Sequence, residues 1–198
     1  MPTGVHLHDV REQLFTAAER LLVEGGPSAL TSRAVTTEAG VAKGVLHKHF
    51  DDFDAFLAEF VLDRVDKMDA RAKVLLQQAG TGTIVGNLAE AITAVFRSAA
   101  VAMVALVTFR DDLRRRLRET WPAGVPVLTE AAIMVKSYLE REQELGRLED
   151  FDADGVAPML IGTGHLLFAD RDTPPDEDAV RRMVASVVAP WLRSHNSE

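Results

Sequence analysis

Between Thr31 and Phe50 the chain carries its densest set of side chains able to bind an anion or a nucleobase. Arg33, Lys43 and Lys48 are cations, His47 and His49 can donate or accept a proton, and Thr31 and Ser32 add hydroxyls. No acid lies between Gly40 and Phe50. An arginine fork pairs with guanine O6 and N7 in a major groove, while lysines, hydroxyls and imidazoles suit phosphate oxygens. This is chemistry of recognition without bond making. Two side chains at i and i+2 diverge by about 200° on a helix of ~3.6 residues per turn, so His47 and His49 do not converge on one metal ion. Cysteine is absent, which removes thiol nucleophiles and Cys-based zinc sites. No nucleophile elbow, glycine-rich phosphate loop or metal-ligand spacing occurs, so no catalytic residue, metal site or cofactor is expected.

Short helices must position these groups. Thr31 suits an N-cap, where its hydroxyl accepts from an otherwise unpaired backbone N–H. The first helix then runs through Ala34, Val35 and Ala39, and Gly40 ends it because glycine takes left-handed geometry at least cost. Val41 fills the turn. A second helix is expected from about Ala42 to His49, with Val45, Leu46 and Phe50 as apolar contacts. A glycine-centred turn between two short helices is a helix-turn-helix, whose second helix can enter a major groove. Before it, Val10, Leu14, Ala17, Ala18, Leu21 and Leu22 recur at helical spacing over residues 9–24, and Gly25-Gly26-Pro27 closes that helix. The three together predict a compact head.

This run resembles the N-terminal helix-turn-helix of the TetR family of transcriptional repressors. The matching residues are Thr31, Arg33, Glu38-Ala39-Gly40-Val41, Lys43-Gly44, Leu46, Lys48-His49-Phe50 and Leu57. The resemblance covers about the first 60 residues; the remainder is similar only in helical character and length. It implies base contacts by Arg33 and Lys43, close backbone approach at Gly44, and a DNA-facing place for Val45. His47 stands where a tyrosine is usual, touching backbone and base, and Thr31, Ser32, Lys48 and His49 fall at phosphate-contacting positions. It further implies a DNA-binding domain at residues 1–52 and a ligand-binding and dimerisation domain at 53–198. The expected function is that of a homodimeric repressor on a palindromic DNA operator, released by a small-molecule effector. The alternative is a helix-turn-helix used for protein contact without a ligand response.

Beyond the head, Phe53, Phe56, Leu57, Phe60, Val61, Val65 and Met68 predict a helix over 52–78. Helical patterns follow at 84–99, 101–119, 127–145, 153–169 and 176–194, the first two also readable as one kinked element because no Gly or Pro separates them. No strand signal survives, so the fold class is all-α, with about nine helices. The last two helices carry Val156, Met159, Leu160, Ile161, Leu166 and, later, Val180, Met183, Val184, Val187, Trp191. Their glycines allow close approach, and the family resemblance implies a two-fold dimer interface there. Candidate pocket residues, chosen as apolar groups with a few polar ones, are Phe96, Met103, Phe109, Trp121, Met134, Tyr138 and His165. The run Arg114-Arg115-Arg116 with Arg118 is flanked by Asp111, Asp112 and Glu119 and reads as a solvated face or helix end, the alternative being a second nucleic-acid surface.

Composition fits a soluble regulator: 198 residues, 47% hydrophobic and 26% charged, with a net charge of −8. Residues 1–50 hold five basic and five acidic residues, so the whole negative balance lies after residue 50. An acidic body with a neutral head suits specific more than non-specific DNA binding. The N-terminus lacks the basic-then-apolar pattern of a secretory signal. The longest apolar run, Ala99–Val107, falls short of the ~20 residues a membrane span needs. A cytoplasmic location is expected, with no membrane partner.

One edge of the head departs from the pattern. Asp51, Asp52 and Asp54 surround Phe53, which stands where the resemblance places a phosphate-touching lysine. Phosphate anchoring should therefore be weaker here. A Phe53→Lys variant is expected to bind its operator more tightly in a titration; unchanged or weaker affinity counts against the assignment.

Overall fold

The computed structural model describes residues 3–121, 124–170 and 172–193, with side chains described from Val10 onward. Among these residues there is no strand, only an isolated bridge between Leu148 and Leu192. Ten α-helices follow one another: α1 Thr3–Gly25, α2 Ser32–Glu38, α3 Val45–His49, α4 Phe53–Gln77, α5 Ile84–Phe96, α6 Ala100–Phe109, α7 Asp111–Thr120, α8 Leu128–Glu144, α9 Ala153–Leu167 and α10 Glu177–Val188. The fold is all-α. No single helix is long and apolar enough to cross a membrane among the described residues.

Beyond the head, three departures from the predicted helices have an identifiable physical reason. The stretch 84–99 ends early, at Phe96, where a turn begins in which the Ser98 hydroxyl donates to the Val95 carbonyl, a side-chain bond that competes with the helical ladder. The stretch 101–119 is two helices, because Arg110 leaves helical geometry (φ −121°, ψ 93°) and its Nε donates to Asp54 Oδ1 at 2.7 Å. The last helix stops at Val188, and a 3₁₀ turn over Ala189–Trp191 holds Pro190, which has no N–H to continue the ladder. Residue 194, the expected end, lies outside the described residues.

The chain divides into two compact units, residues 1–64 with 102–126 and residues 65–101 with 127–198. In the first, Leu14, Leu22, Leu46, Phe56, Leu57 and Phe60 are fully buried. Phe15 lies 5.9, 5.7 and 6.0 Å from the rings of Phe50, Phe56 and Phe60, distances at which aromatic pairs add to plain burial. Arg64, 7% exposed, is held by Glu19 at 3.0 Å and by Asp63, with its guanidinium 5.2 Å from the Phe60 centroid.

The second unit packs α5, α8, α9 and α10 around Leu88, Ile92, Val135, Leu139, Ala157, Leu160 and Val184. Gly164 faces the Phe96 ring, and a Cβ there would meet it at 2.7 Å. The missing side chain is thus what lets α9 approach α5. Inside this apolar core sits a polar cluster. The Asn87 amide donates to the Tyr138 hydroxyl at 3.0 Å, and Tyr138 in turn bonds Glu142. Burial, with the Glu142 bond second, raises the Tyr138 pKa. Glu142 is fully buried; its Oε1 accepts from the Gly80 N–H at 3.3 Å, and Arg147 Nη1 lies 3.2 Å from Oε2. Removing one member of such a pair strands a buried charge, which costs more than the pair itself contributes. Arg147→Ala should therefore lower stability by about 3 kcal/mol, read as a shift of the urea unfolding midpoint. A loss no larger than that of an ordinary surface substitution would contradict it.

Candidate nucleic-acid interface

The site is assembled by α2, α3 and the turn between them. Thr31 has extended geometry (φ −130°, ψ 153°) and its Oγ1 accepts from the Ala34 N–H at 3.1 Å, the N-cap the sequence predicts. Thr36, 2% exposed, satisfies its buried hydroxyl by donating to the carbonyls of Ser32 and Arg33, at 2.9 and 3.1 Å. At the other end Gly40 has φ +66°. Its N–H donates to the Thr37 carbonyl at 3.1 Å and the Val41 N–H to the Thr36 carbonyl at 3.0 Å. These paired bonds are the Schellman arrangement.

Helix α3 begins at Val45 rather than at about Ala42, because a tight turn closed by Val45 N–H on the Ala42 carbonyl, at 2.9 Å, precedes it. Lys43 therefore sits in that turn, and Gly44 is the N-cap. Leu46 and Phe50 are buried, so α3 is turned with its polar side outward. Lys43, Gly44, His47 and Lys48 are exposed, and Val45 and His49 are half-buried. From α2 and its cap, Thr31 and Arg33 are exposed and Ser32 is half-buried. All nine residues chosen from the sequence thus lie on two adjoining short helices and the turns that border them. Exposed cations, hydroxyls and imidazoles free of intervening acids can meet phosphate and base edges.

Two features of this neighbourhood were not visible in local sequence. Arg11, on α1, donates to the His49 carbonyl at 3.3 Å, pairs with Glu59, and lies 4.5 Å from the Phe50 ring centroid. It thereby closes the C-terminal end of α3. The acidic edge is also met by cations from α7 and its cap: Arg110 pairs with Asp54 and lies 5.4 Å from the Phe53 ring centroid, and Arg116 Nη2 lies 2.8 Å from Asp52 Oδ2. Asp52 also caps α4, accepting from the Ala55 N–H at 2.6 Å, and that bond first, with Arg116 adding, holds its pKa below the usual carboxylate value. Phe53 itself stacks on Phe56 at 5.6 Å. Within the arginine run, Arg114 and Arg115 pair along α7 with Asp111 and Asp112.

The seven pocket candidates do not share one cavity. Phe96, Met103, Met134 and Tyr138 are buried, Trp121 and His165 are half-buried, and Phe109 is 86% exposed. Met134 borders a cleft of about 240 Å³ in the second unit, with Val74 and Leu75 of α4 and Ala91 and Ala94 of α5. Trp121 borders a separate one of about 210 Å³ in the first unit. His165 contacts the Phe96 ring at 6.1 Å, and its Nδ1 is buried with no hydrogen-bond partner among the described residues. No cluster of three or more metal-ligating side chains occurs among the described residues.

Residues 14–60 match the family described as bacterial regulatory proteins, tetR family. No curated protein matches the chain by sequence. Solved structures do match by fold. NemR of E. coli in its reduced form is 17% identical with a TM-score of 0.74, the match covering 95% of this chain and all (100%) of that one. A transcriptional regulator from Rhodococcus sp. is 22% identical at a TM-score of 0.67, covering 91% and 97%. A protein of Mesorhizobium loti described as a TetR-family transcriptional regulator is 17% identical at 0.69, covering 94% and 98%. At these identities the likeness carries the fold, and the family match is carried by residues 14–60. Residues 14–60 thus match the tetR family of bacterial regulatory proteins, and the whole chain shares its all-α fold with solved structures described as transcriptional regulators.

Proposed function

We propose that this regulator is a cytoplasmic homodimeric repressor that reads a palindromic operator through α2 and α3 and releases it when a small molecule binds its second unit. The exposed face from Lys43 to His49, free of acids on a helix-turn-helix, is the observation that carries the DNA reading. Arg33 and Lys43 are assigned to base edges, and Thr31, Ser32, Lys48 and His49 to phosphates, with His47 and Val45 beside them. Two copies of the head would address successive major grooves, about 34–36 Å apart or a multiple of that.

Dimerisation is supported by the outer side of α9. Pro158, Met159, Gly162, Thr163 and Leu166 are all exposed there, Met159 by 58% and Leu166 by 76%. Large apolar side chains left in contiguous exposure mark an interaction surface. Gly162 has open space above it, which lets another backbone come close. The partner helix would be α10, as the expected interface over 153–169 and 176–194 has it.

Ligand response is supported by the cleft between α4, α5 and α8. At about 240 Å³ it lies below the usual ~300–1,000 Å³ of ligand sites, so the effector is small or widens it. The far end of α4 lines this cleft, and its first turn follows α3 directly. A ligand that favours one position of α4 would shift the head only by its difference in affinity for the two states.

The test is DNA binding itself. Wild-type chain should bind a short palindrome with strong salt dependence, and Lys43→Ala should abolish that binding; retention of full affinity would remove α3 from the interface. Leu166→Glu should convert a dimer to monomer in sedimentation, while an unchanged mass would rule out the α9 surface.

A further inference from the structure

The arginine run on α7 lies beside the head. Arg110 on Asp54 and Arg116 on Asp52 are two ion pairs between segments far apart in sequence, at 2.7 and 2.8 Å. Together they pin the cap and the middle of α7 against the turn that joins α3 to α4. Asp52 is four residues beyond Lys48, so the Arg116 guanidinium is tied to a point within ~14 Å of chain from that exposed lysine. That distance is about four base steps at ~3.4 Å per step along one strand.

From this placement we infer that Arg116 is a phosphate contact of the DNA interface, contributed by α7 from outside the helix-turn-helix; it rests on the head's reading of DNA. Each oxygen of Asp52 is committed, Oδ1 to the Ala55 N–H and Oδ2 to Arg116. The carboxylate thus offers an incoming phosphate little to repel that the guanidinium does not offset. Arg116 keeps 40% of its side chain exposed. A guanidinium has five N–H donors in a rigid fork, and the Asp52 pair uses one Nη2 donor. The remaining donors can bridge from the protein carboxylate to a phosphate oxygen, a geometry that a flexible lysine holds less firmly. Asp54 of the same edge is met by Arg110, Asp51 stays exposed, and on α7 itself Asp111 is met by Arg114 and Asp112 by Arg115. Arg116 differs from these because its partner belongs to the joint with the recognition helix.

The experiment uses the full chain and the duplex it selects from a randomised pool, with affinity measured across a salt series. Removing one phosphate contact lowers the slope of log affinity against log salt by about one per protomer and weakens binding about tenfold near 0.1 M salt. Arg116→Ala should show both effects and Arg116→Lys should restore the slope. Arg116→Gln keeps the side-chain stem and should behave as the alanine variant does, whether or not the latter folds. Unchanged affinity and slope in Arg116→Gln overturn the inference. So does weaker binding with an unchanged slope, which assigns Arg116 to holding the α3–α4 joint only. A wild-type chain that selects no duplex removes the DNA reading as well, a result separate from either of these.

Discussion

Everything the head can do depends on aromatic packing around Phe50. Helix α3 is five residues long, and an isolated helix so short has no stability of its own in water. Its position comes from Leu46, fully buried, and from Phe50, whose ring meets Phe56 edge-on at 5.0 Å and Phe15 at 5.9 Å. Arg11 then covers the Phe50 ring and takes up the His49 carbonyl, a group that a helix end leaves unpaired. The recognition surface is therefore oriented by α1 and α4. Damage to these rings would misplace Lys48 and His49 without touching either.

The parts legible in the sequence are those whose physics is local. A hydroxyl at Thr31 and a glycine at Gly40 announce where α2 begins and ends, because capping and left-handed geometry involve only a few neighbouring residues. The apolar period on α1 and α4 likewise marks which faces are buried. The Arg116–Asp52 pair was not legible: the two residues are 64 apart, and like all five arginines near α7, Arg116 sits among acids that could satisfy it locally. The break at Arg110 has the same origin, since its partner Asp54 lies in another helix. Aromatic and methionine side chains such as Phe96 and Tyr138 announce burial, which is where they are, but burial does not distinguish core from cavity wall. Of the residues that line the cleft the sequence reading named Met134 alone; Ala70, Val74, Ala91 and Ala94 are types that carry no signal of a site.

The ion pairs divide by environment into two kinds of work. At the α3–α4 joint both partners of Arg116–Asp52 are substantially exposed, and such pairs contribute little net stability, about 0–1 kcal/mol. Their effect is to fix where a charge stands. Around Glu142 the carboxylate is buried, and the Tyr138, Gly80 and Arg147 contacts are conditions for its being there at all. The same chain thus uses carboxylates to steer surface cations in one unit and to specify core geometry in the other. The net charge of −8 then restrains indiscriminate adhesion to DNA, leaving directed contacts to set where it settles.

Two glycines stand four residues apart in the head, and they are under different physical constraints. Gly40 has φ +66° with no atom near a would-be Cβ, so handedness alone keeps it glycine, and the fold enforces this in any setting. Gly44 has φ −77° and ψ −8°, values open to every residue, and again nothing stands near a Cβ. Neither its backbone angles nor its surroundings forbid a larger residue there, although as the N-cap of α3 glycine is preferred over alanine. Space that the fold leaves open at this place is space that an approaching surface can use. A side chain added at Gly44 would therefore be felt first by whatever docks on the head, whereas one added at Gly40 would strain the turn itself by about 1–2 kcal/mol.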